Sequence, residues 1–358
     1  MANIVILGAG VMGSALAMPP ASIKSNKVTL VGSPLDDDIV QSIVQTRHHP
    51  TLNTRIPEYI DTRLLSELDA QTLQAADVIV IGVSSAGIEW ATGYLAQMDI
   101  SPPLLALVTK GLVENADRTS APLTYADALA KNMALSAEKI VGIGGPCIAR
   151  ELALGYPTRV TFACADQAVA NSMRQLFQTD YYQITTHANI VALEACAALK
   201  NFLCIGVSAM LSAYPLENSF AKNPVAALYN QAVHELFTLS EWIAKASPGN
   251  RIDSMNSSHH VAFDLAGMGD LHVTVGGGRN SRLGGYLGSR ETLSHVLTTH
   301  MKDVTVEGVD TGRTMLAAFR AACTSGDLTV AHLPLSNAIL NTIEFDLPFD
   351  FDFVKLPD

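Results

Sequence analysis

The sequence predicts an α/β protein, with a doubly wound sheet in its N-terminal part and an all-α domain after it. Two observations lead to this fold class. Short apolar runs alternate with helix-like segments through the first half of the chain, and much of the second half shows a helical period of 3.6 residues. We therefore expect a sheet domain at residues 1–187 and a helical domain at residues 188–358.

The chain opens with an apolar strand and a glycine-rich turn. Residues 3–7, NIVIL, form a continuous apolar run typical of a strand buried on both faces. The following GAGVMG places Gly8, Gly10 and Gly13 in G-x-G-x-x-G spacing ahead of a helix-like segment. Such glycines allow a tight turn, close approach to a pyrophosphate and close helix–strand packing. This motif predicts a Rossmann-type dinucleotide-binding domain.

Further strand-like runs extend the predicted sheet, at residues 27–31, 77–83, 104–109 and 139–144, and the pattern turns helical after the stretches 158–165 and 181–186. Pro19 and Pro20 should end or kink the first helix early. Ligands of such sheets bind outside the carboxyl ends of the strands. The stretches GVSS (82–85), TKG (109–111) and GGPCIARE (144–151) follow three of these strands. We therefore expect Lys110 to face the ligand crevice.

The sequence leaves the choice between NAD and NADP open. An acidic residue at the end of the second strand would bind the ribose of NAD, but Gly32, Ser33 and Pro34 follow that strand. Asp36, Asp37 and Asp38 come late and fit a solvated turn. A missing acid leaves room for a 2′-phosphate, so NADP is slightly favoured, with Arg47 of TRHHP as a distant candidate to bind it. We interpret His48 and His49 as loop residues, and the sequence predicts no metal site.

A single charge interrupts the most apolar part of the second half. From Ala195 to Leu211 the only charged side chain is Lys200. Desolvating an unpartnered ammonium group costs several kcal/mol or forces it neutral. The lysine therefore either extends out of a core helix or serves chemistry. Because the run also contains Asn201, Gly206 and Ser208, we expect a buried core helix and not a membrane span.

A second polar stretch, LAGMGDLHVTVGGGRN, occupies residues 265–280. Asp270 and Thr274 are four residues apart, so on a helix they would share one face. Arg279 and Asn280 follow three glycines that would let the backbone approach a ligand. An arginine on such a loop suits a phosphate, although a solvated arginine fits the pattern equally well.

Composition excludes several classes of function. The formal net charge is -11, which argues against a nucleic-acid face. The 5 cysteines are scattered without a C-x-x-C pair, as expected for reduced thiols in a cytoplasmic protein. No basic segment precedes an apolar stretch at the N-terminus, so we expect no signal peptide.

These stretches together resemble the NAD(P)-dependent glycerol-3-phosphate dehydrogenases, from about residue 3 to about residue 325. The resemblance rests on seven motifs in the family's order: GAGVMGSALA, VTKGL, GGPCIARE, EACAALKN, GMGDLHVT, GGGRN and VEG. GAGVMGSAL and the TRHHP segment look most like archaeal-type members. The resemblance implies reduction of dihydroxyacetone phosphate to glycerol 3-phosphate for phospholipid synthesis, and a homodimer.

The resemblance also implies roles for individual residues. Lys200 would exchange a proton with the C2 oxygen of the substrate, assisted by Lys110 and Asp270. The other residues implied to bind substrate are Gly145, Cys147, Asn201, Thr274, Arg279 and Asn280. The residues implied to bind the coenzyme are Gly8, Gly10, Val11, Met12, Gly13, Ser33, Val83, Ser84, Lys110, Ala149, Arg279 and Glu307.

The sequence departs from the family pattern at three positions, and the last two of them concern the substrate more than the reaction type. Met12 replaces an aromatic residue, and Cys147 and Gly278 each replace a hydroxyl residue. Two alternatives therefore stay open. One is a reductase of a 2-keto acid such as ketopantoate, which Lys110, Arg279 and the GGGRN segment suit less well than a phosphate. The other is a non-catalytic dinucleotide sensor, which would not need Lys200.

Overall fold

The protein is described here by a computed structural model that covers residues 1–100, 102–217, 219–248 and 261–357. It divides into two compact units. The first unit comprises Met1–Lys110 and Ala126–Ile190, and the second comprises Gly111–Tyr125 and Val191–Asp358. The sequence did not predict that Gly111–Tyr125 would group with the second unit.

The first unit is built on an eight-stranded, mostly parallel sheet, which confirms the predicted fold class. In spatial order its strands are β12 (Tyr182–His187), β11 (Thr158–Ala163), β10 (Ile140–Gly144), β7 (Leu105–Leu107), β6 (Val78–Ile81), β1 (Ala2–Leu7), β2 (Asn26–Val31) and β5 (Asp61–Arg63). All neighbours are parallel except β10 and β11. The inner strands are apolar runs because both of their faces are buried.

Helices connect the strands of this sheet. They are α1 (Val11–Leu16), α2 (Met18–Ser22), α3 (Asp37–Thr46), α4 (Ala70–Gln74), α5 (Ile88–Gln97), α6 (Tyr125–Asn132), α7 (Ala149–Ala153) and α8 (Gln167–Phe177). Helix α1 ends before Pro19 and Pro20, which lie in the first turn of α2, as predicted.

The histidine segment was interpreted wrongly as a loop. His48 and His49 form strand β3, which pairs antiparallel with β4 (Thr54–Arg55). This ribbon was not predicted because each of its strands has only two residues. Its consequence is that His49 is completely buried, whereas His48 is exposed.

In its described residues the second unit is mainly helical, with two short ribbons that join β8 (Leu112–Val113) to β9 (Leu123–Thr124) and β13 (Pro215–Leu216) to β14 (Ser219–Phe220). Its helices are α9 (Ile190–Ala213), α10 (Lys222–Ala246), α11 (Asp270–Val275), α12 (Arg279–Gly288), α13 (Leu293–Thr299), α14 (Glu307–Ser325) and α15 (Pro334–Phe345).

Helix α9 is the core of the second unit. It has 24 residues and a mean hydropathy of 1.8, sufficient in length and composition to cross a membrane. The apolar stretch is nevertheless 100% buried inside the protein, as in the core helix of a globular domain. Small residues let other helices approach it closely: a Cβ at Gly284 or Gly288 of α12 would meet the α9 backbone at 2.4 or 1.9 Å.

Candidate active site

The glycine-rich turn has the geometry of a dinucleotide-binding loop. Gly8 has a φ of 109°, which favours glycine, and a Cβ on Gly13 would lie 2.1 Å from the carbonyl oxygen of Gly8. A Cβ on Gly10, in contrast, would meet no atom within 4 Å. The first and third glycines therefore serve the turn and its packing, while open space lies beside the second. This arrangement fits the close approach of a pyrophosphate.

Both backbone polar groups of Ala9, in the middle of this turn, are held by buried side chains. The amide of Ala9 donates to Oδ2 of Asp36 at 3.0 Å, and the carbonyl of Ala9 accepts from Ser14 Oγ at 2.9 Å. His49 Nε2 lies 3.1 Å from the same carbonyl. The turn is thus fixed by three side chains that leave the space beside Gly10 open.

His49 is held in one neutral form. The amide of Leu52 donates to Nδ1 of His49 at 3.1 Å, so the ring proton belongs on Nε2, where it is donated to Ala9. Burial lowers the pKa of His49, while hydrogen bonds to the carbonyls of Ala9 and Gly10 oppose that effect. A protonated ring would point a second N–H at the amide of Leu52.

The region after β2 differs from both of its interpretations. Asp36 is not in a solvated turn: it is 8% exposed, and its Oδ2 also accepts from the amide of Ser33 at 2.7 Å. The guanidinium of Arg47, the distant candidate for a phosphate, donates instead to the carbonyls of Ile56, Pro57 and Ile60. Sequence reasoning missed both roles because each depends on contacts within a folded turn.

The carboxyl edge of the sheet brings four predicted residues together. Met12, Lys110, Gly145 and Cys147 line one small cavity, together with Tyr182. Gly145 has a φ of 126°, and a Cβ there would lie 3.1 Å from the Cα of Val160. The chain therefore needs glycine at this position.

Three other predicted coenzyme residues lie at loops or helix starts of the first unit. Val83 is half-buried, and its carbonyl accepts from Thr109 Oγ1 at 2.6 Å; Ser84 next to it is exposed. Ala149 is the first residue of α7. Whether these residues contact a coenzyme stays a prediction.

In the second unit, Lys200 is buried and bonded to two side chains. Its Nζ donates to Oδ1 of Asp270 at 3.0 Å and to Oγ1 of Thr274 at 2.6 Å. Only 7% of the Lys200 side chain and 4% of the Asp270 side chain are exposed. Lys200 thus does not extend to solvent, and Asp270 and Thr274 do share one face of α11.

The residues around this ion pair fix its orientation. A π-helical turn, Leu265–Gly269, directly precedes α11, and the phenol of Tyr229 donates to the carbonyl of Met268 at 2.5 Å. Such turns are frequent at functional sites. One turn along α9, Cys204 lies 3.4 Å from the carbonyl of Thr274, and burial raises the pKa of its thiol to about 11. Cys204 is therefore a neutral neighbour of Lys200.

Asn201 and Asn280 join three segments of the second unit. Asn280 Nδ2 donates to Asn201 Oδ1 at 3.0 Å, and the amide of Gly308 donates to Asn280 Oδ1 at 2.9 Å. A Cβ on Gly308 would lie 2.4 Å from the carbonyl oxygen of Asn201. The glycine of VEG is thus required for packing, and Asn280 tethers the start of α14 to α9.

Arg279 is placed differently from the expectation. It is the first residue of α12 and not part of the glycine loop, and its guanidinium forms an ion pair with Glu307, the first residue of α14. The Arg279 side chain is 53% exposed, against 26% for Glu307. Two residues predicted to bind ligands are thus in contact with each other.

The sheet, its glycine turn and its carboxyl-edge cavity define a dinucleotide-binding protein with a second, helical unit. A family model described as the NAD-dependent glycerol-3-phosphate dehydrogenase N-terminus matches residues 3–170, and one described as its C-terminus matches residues 189–349. The chain belongs to this family, as its motifs predicted. The alternative of a 2-keto acid reductase is not favoured.

Relatives agree with this assignment. An NADP(+)-dependent glycerol-3-phosphate dehydrogenase of Archaeoglobus fulgidus is 31% identical over 79% of both chains. The glycerol-3-phosphate dehydrogenase [NAD(P)+] of Thiobacillus denitrificans is 30% identical over 88% of this chain and 87% of the relative. A crystal structure of glycerol-3-phosphate dehydrogenase from Coxiella burnetii shares the fold, with a TM-score of 0.72, 21% identity and coverage of 97% and 96%.

Proposed function

We propose that this chain catalyses the reversible, NAD(P)H-dependent reduction of dihydroxyacetone phosphate to glycerol 3-phosphate. The observation that supports this most strongly is the buried Lys200, bonded to Asp270 and Thr274, in a chain of this family. An ammonium group kept from water and held by two fixed partners is suited to passing a proton.

Residues of this chain support both the hydride transfer and the proton transfer. The turn from Gly8 to Gly13 holds the coenzyme, which when bound supplies or accepts the hydride at C2 of the substrate. Lys200 donates a proton to the C2 oxygen during reduction and takes it back during oxidation. Asp270 stabilises the charged form of Lys200, and Thr274 aims its Nζ. Asn201 binds the substrate hydroxyls, and Lys110 with Gly145 and Cys147 completes the substrate site.

Arg279 binds the substrate phosphate in this proposal, whereas Asn280, which the resemblance also implies at the phosphate, has a mainly structural part. A guanidinium at the start of a helix combines a fixed charge with the positive end of the helix dipole. Its partner Glu307 orients the guanidinium and contacts the coenzyme. Asn280 acts mainly by holding Gly308 against Asn201, since both ends of its amide are already bonded.

A coenzyme-oxidation assay tests the activity. Purified protein is mixed with NADH or NADPH and dihydroxyacetone phosphate, and coenzyme absorbance is followed. We expect turnover with at least one coenzyme and little with ketopantoate. Turnover with ketopantoate and none with dihydroxyacetone phosphate would overturn the proposal. Comparing kcat/KM for the two coenzymes tests the expected slight preference for NADP.

We also propose that the enzyme works as a homodimer in the cytoplasm. Sedimentation of the purified protein at several concentrations measures the oligomeric state directly. A single species with the mass of one chain at all concentrations would contradict the dimer.

A further inference from the structure

Three side chains outside the proposed active site converge at the corner between α12 and α13. They are Glu291, two residues before α13, His295 within it, and His300 directly after it. Their nitrogen and oxygen ligand atoms all lie within 4.8 Å of one another. Glu291 lies in the turn before the helix, and His295 lies in the first turn of the helix, four residues further along the chain. Neither the sequence motifs nor the proposed reaction uses these residues.

The distances match those of a coordination sphere. Oε2 of Glu291 lies 2.9 Å from Nε2 of His300 and 3.5 Å from Nε2 of His295. Ligands about 2.0–2.1 Å from a tetrahedral metal are separated by roughly 3.3 Å. The two separations from Glu291 to the histidines therefore lie on either side of this value. The side chain of His295, which is 57% exposed, has room to close the third.

One ligand is oriented in advance. The ring of His300 stacks on the ring of Tyr286, with centroids 4.4 Å apart and an interplanar angle of 7°. The guanidinium of Arg282 donates to the backbone carbonyl of His300 and lies 6.0 Å from the centroid of the Tyr286 ring. Helix α12 thus holds the imidazole with its Nε2 directed at Glu291.

We propose that Glu291, His295 and His300 form a zinc-binding site that is separate from the active site. Two imidazoles and one carboxylate are a donor set that suits Zn²⁺, with a fourth position left for water. Calcium and magnesium prefer all-oxygen ligands and do not fit. The ion would join the turn before α13 to the residue after it. This proposal departs from the expectation that the chain has no metal site, and it does not depend on the proposed reaction.

Cobalt spectroscopy and calorimetry test the site on the untagged, full-length protein after treatment with EDTA. Zn²⁺ is titrated by calorimetry, and Co²⁺ is titrated while its visible absorption is recorded. We expect one equivalent of each to bind, with the intense visible bands of a tetrahedral site. His295→Ala and His300→Ala should each weaken binding by at least ~10-fold, by analogy with the loss of an outer partner. Glu291→Gln should also weaken it.

Matched variants separate this site from other ligands. His332→Ala removes an exposed histidine elsewhere in the second unit and should bind like the wild type. Zn²⁺ should raise the melting temperature of the wild type and of His332→Ala, but not of His300→Ala. Equal binding by the wild type and His300→Ala would overturn the proposal, and so would cobalt–thiolate bands, which would place the ion at cysteine. In either case the three residues form only a hydrogen-bonded cluster.

Discussion

Lys200 and Asp270 form a buried ion pair in the second unit, with Nζ 3.0 Å from Oδ1. Bringing two charges out of water carries a large desolvation penalty, so such a pair is weak support for stability. Its presence in the apolar core of α9 is better explained by chemistry that needs a charged group in a fixed place.

Removing one member of the pair should destabilise the protein. Asp270→Asn leaves the ammonium group of Lys200 buried without its counter-charge, which should lower the free energy of unfolding by ~3–5 kcal/mol. The double variant Lys200→Met, Asp270→Leu should recover much of that loss, because neither charge is then buried. Chemical denaturation of the three proteins measures both effects. A loss below ~1 kcal/mol for Asp270→Asn would mean that the pair is not desolvated.

The hydrogen bond from His49 to Ala9 should support coenzyme binding. His49→Gln keeps an amide N–H able to reach the carbonyl of Ala9, whereas His49→Asn is too short but keeps an acceptor near Leu52. We expect His49→Asn to raise the Kd for NADPH or NADH about 10-fold, as for the loss of ~1.4 kcal/mol, and His49→Gln to raise it less.

Fluorescence titration of the coenzyme checks this order, with the exposed neighbour variant His48→Asn as the control. The lowered pKa of His49 makes the stabilisation that His49 contributes depend on pH. Because this pKa is lower in the folded protein than in the unfolded chain, neutral His49 contributes its full stabilisation above pH 6.5. That stabilisation is lost as the pH falls through the folded-state pKa. The difference between the wild type and His49→Gln should therefore shrink in acid. Identical Kd values for all four proteins would show that the turn does not need this contact.

Arg279→Ala should weaken binding of the phosphorylated substrate by ~1.5–3 kcal/mol, as expected for a hydrogen bond to a charged group. An interaction shared by substrate and transition state should appear mainly in KM. Unphosphorylated dihydroxyacetone should be much less affected. Measuring both substrates with both proteins isolates the contribution of the phosphate. Equal fractional losses would show that Arg279 acts only through Glu307, with which it is paired.

Glu235 should make the stability of the second unit depend on pH. It is completely buried and accepts hydrogen bonds from Gln231, from the amides of Leu335 and Ser336, and from the hydroxyl of Ser336. The carboxyl group of α10 thereby caps the start of α15. Burial raises the pKa of Glu235 from 4.5 to about 7, although these four hydrogen bonds oppose the rise.

Because the folded-state pKa lies above the unfolded value, the folded protein holds this proton where the unfolded chain has lost it. The stabilisation is complete below pH 4.5 and is lost as the pH rises to about 7. The loss is on the order of 3 kcal/mol. Urea denaturation should show a lower free energy of unfolding at pH 8 than at pH 5 for the wild type and for the exposed control Glu89→Gln, but not for Glu235→Gln. A parallel pH dependence in all three would contradict the assignment.

Much of the fold could be predicted because it depends on local patterns. Apolar runs located the inner strands, the glycine spacing located the coenzyme turn, and the i, i+4 spacing placed Asp270 and Thr274 on one face. The antiparallel direction of β11 could not be predicted, since an apolar run looks the same in either direction. The short strand β5 and the ribbon of β3 and β4 lack a pattern long enough to detect.

The unpredicted parts of the site are contacts between distant positions. Asp36 and His49 form hydrogen bonds with Ala9, from which they are 27 and 40 residues apart in the sequence. The residues next to Asp36 and His49 in the sequence form no pattern that predicts these contacts. The ion pair of Arg279 and Glu307 likewise depends on how the starts of α12 and α14 meet. The lone charge of Lys200 was visible in the sequence, but only the structure supplied its partners.

The most direct test of the central claim is kcat for Lys200→Met with saturating coenzyme and dihydroxyacetone phosphate. Methionine fills the same apolar space but cannot carry a proton. We predict that kcat falls by at least ~10²–10⁴-fold, the usual contribution of general acid–base catalysis, while the Kd for the coenzyme and the far-ultraviolet circular dichroism stay unchanged. A folded Lys200→Met protein with kcat within about threefold of the wild type would show that Lys200 does not transfer the proton.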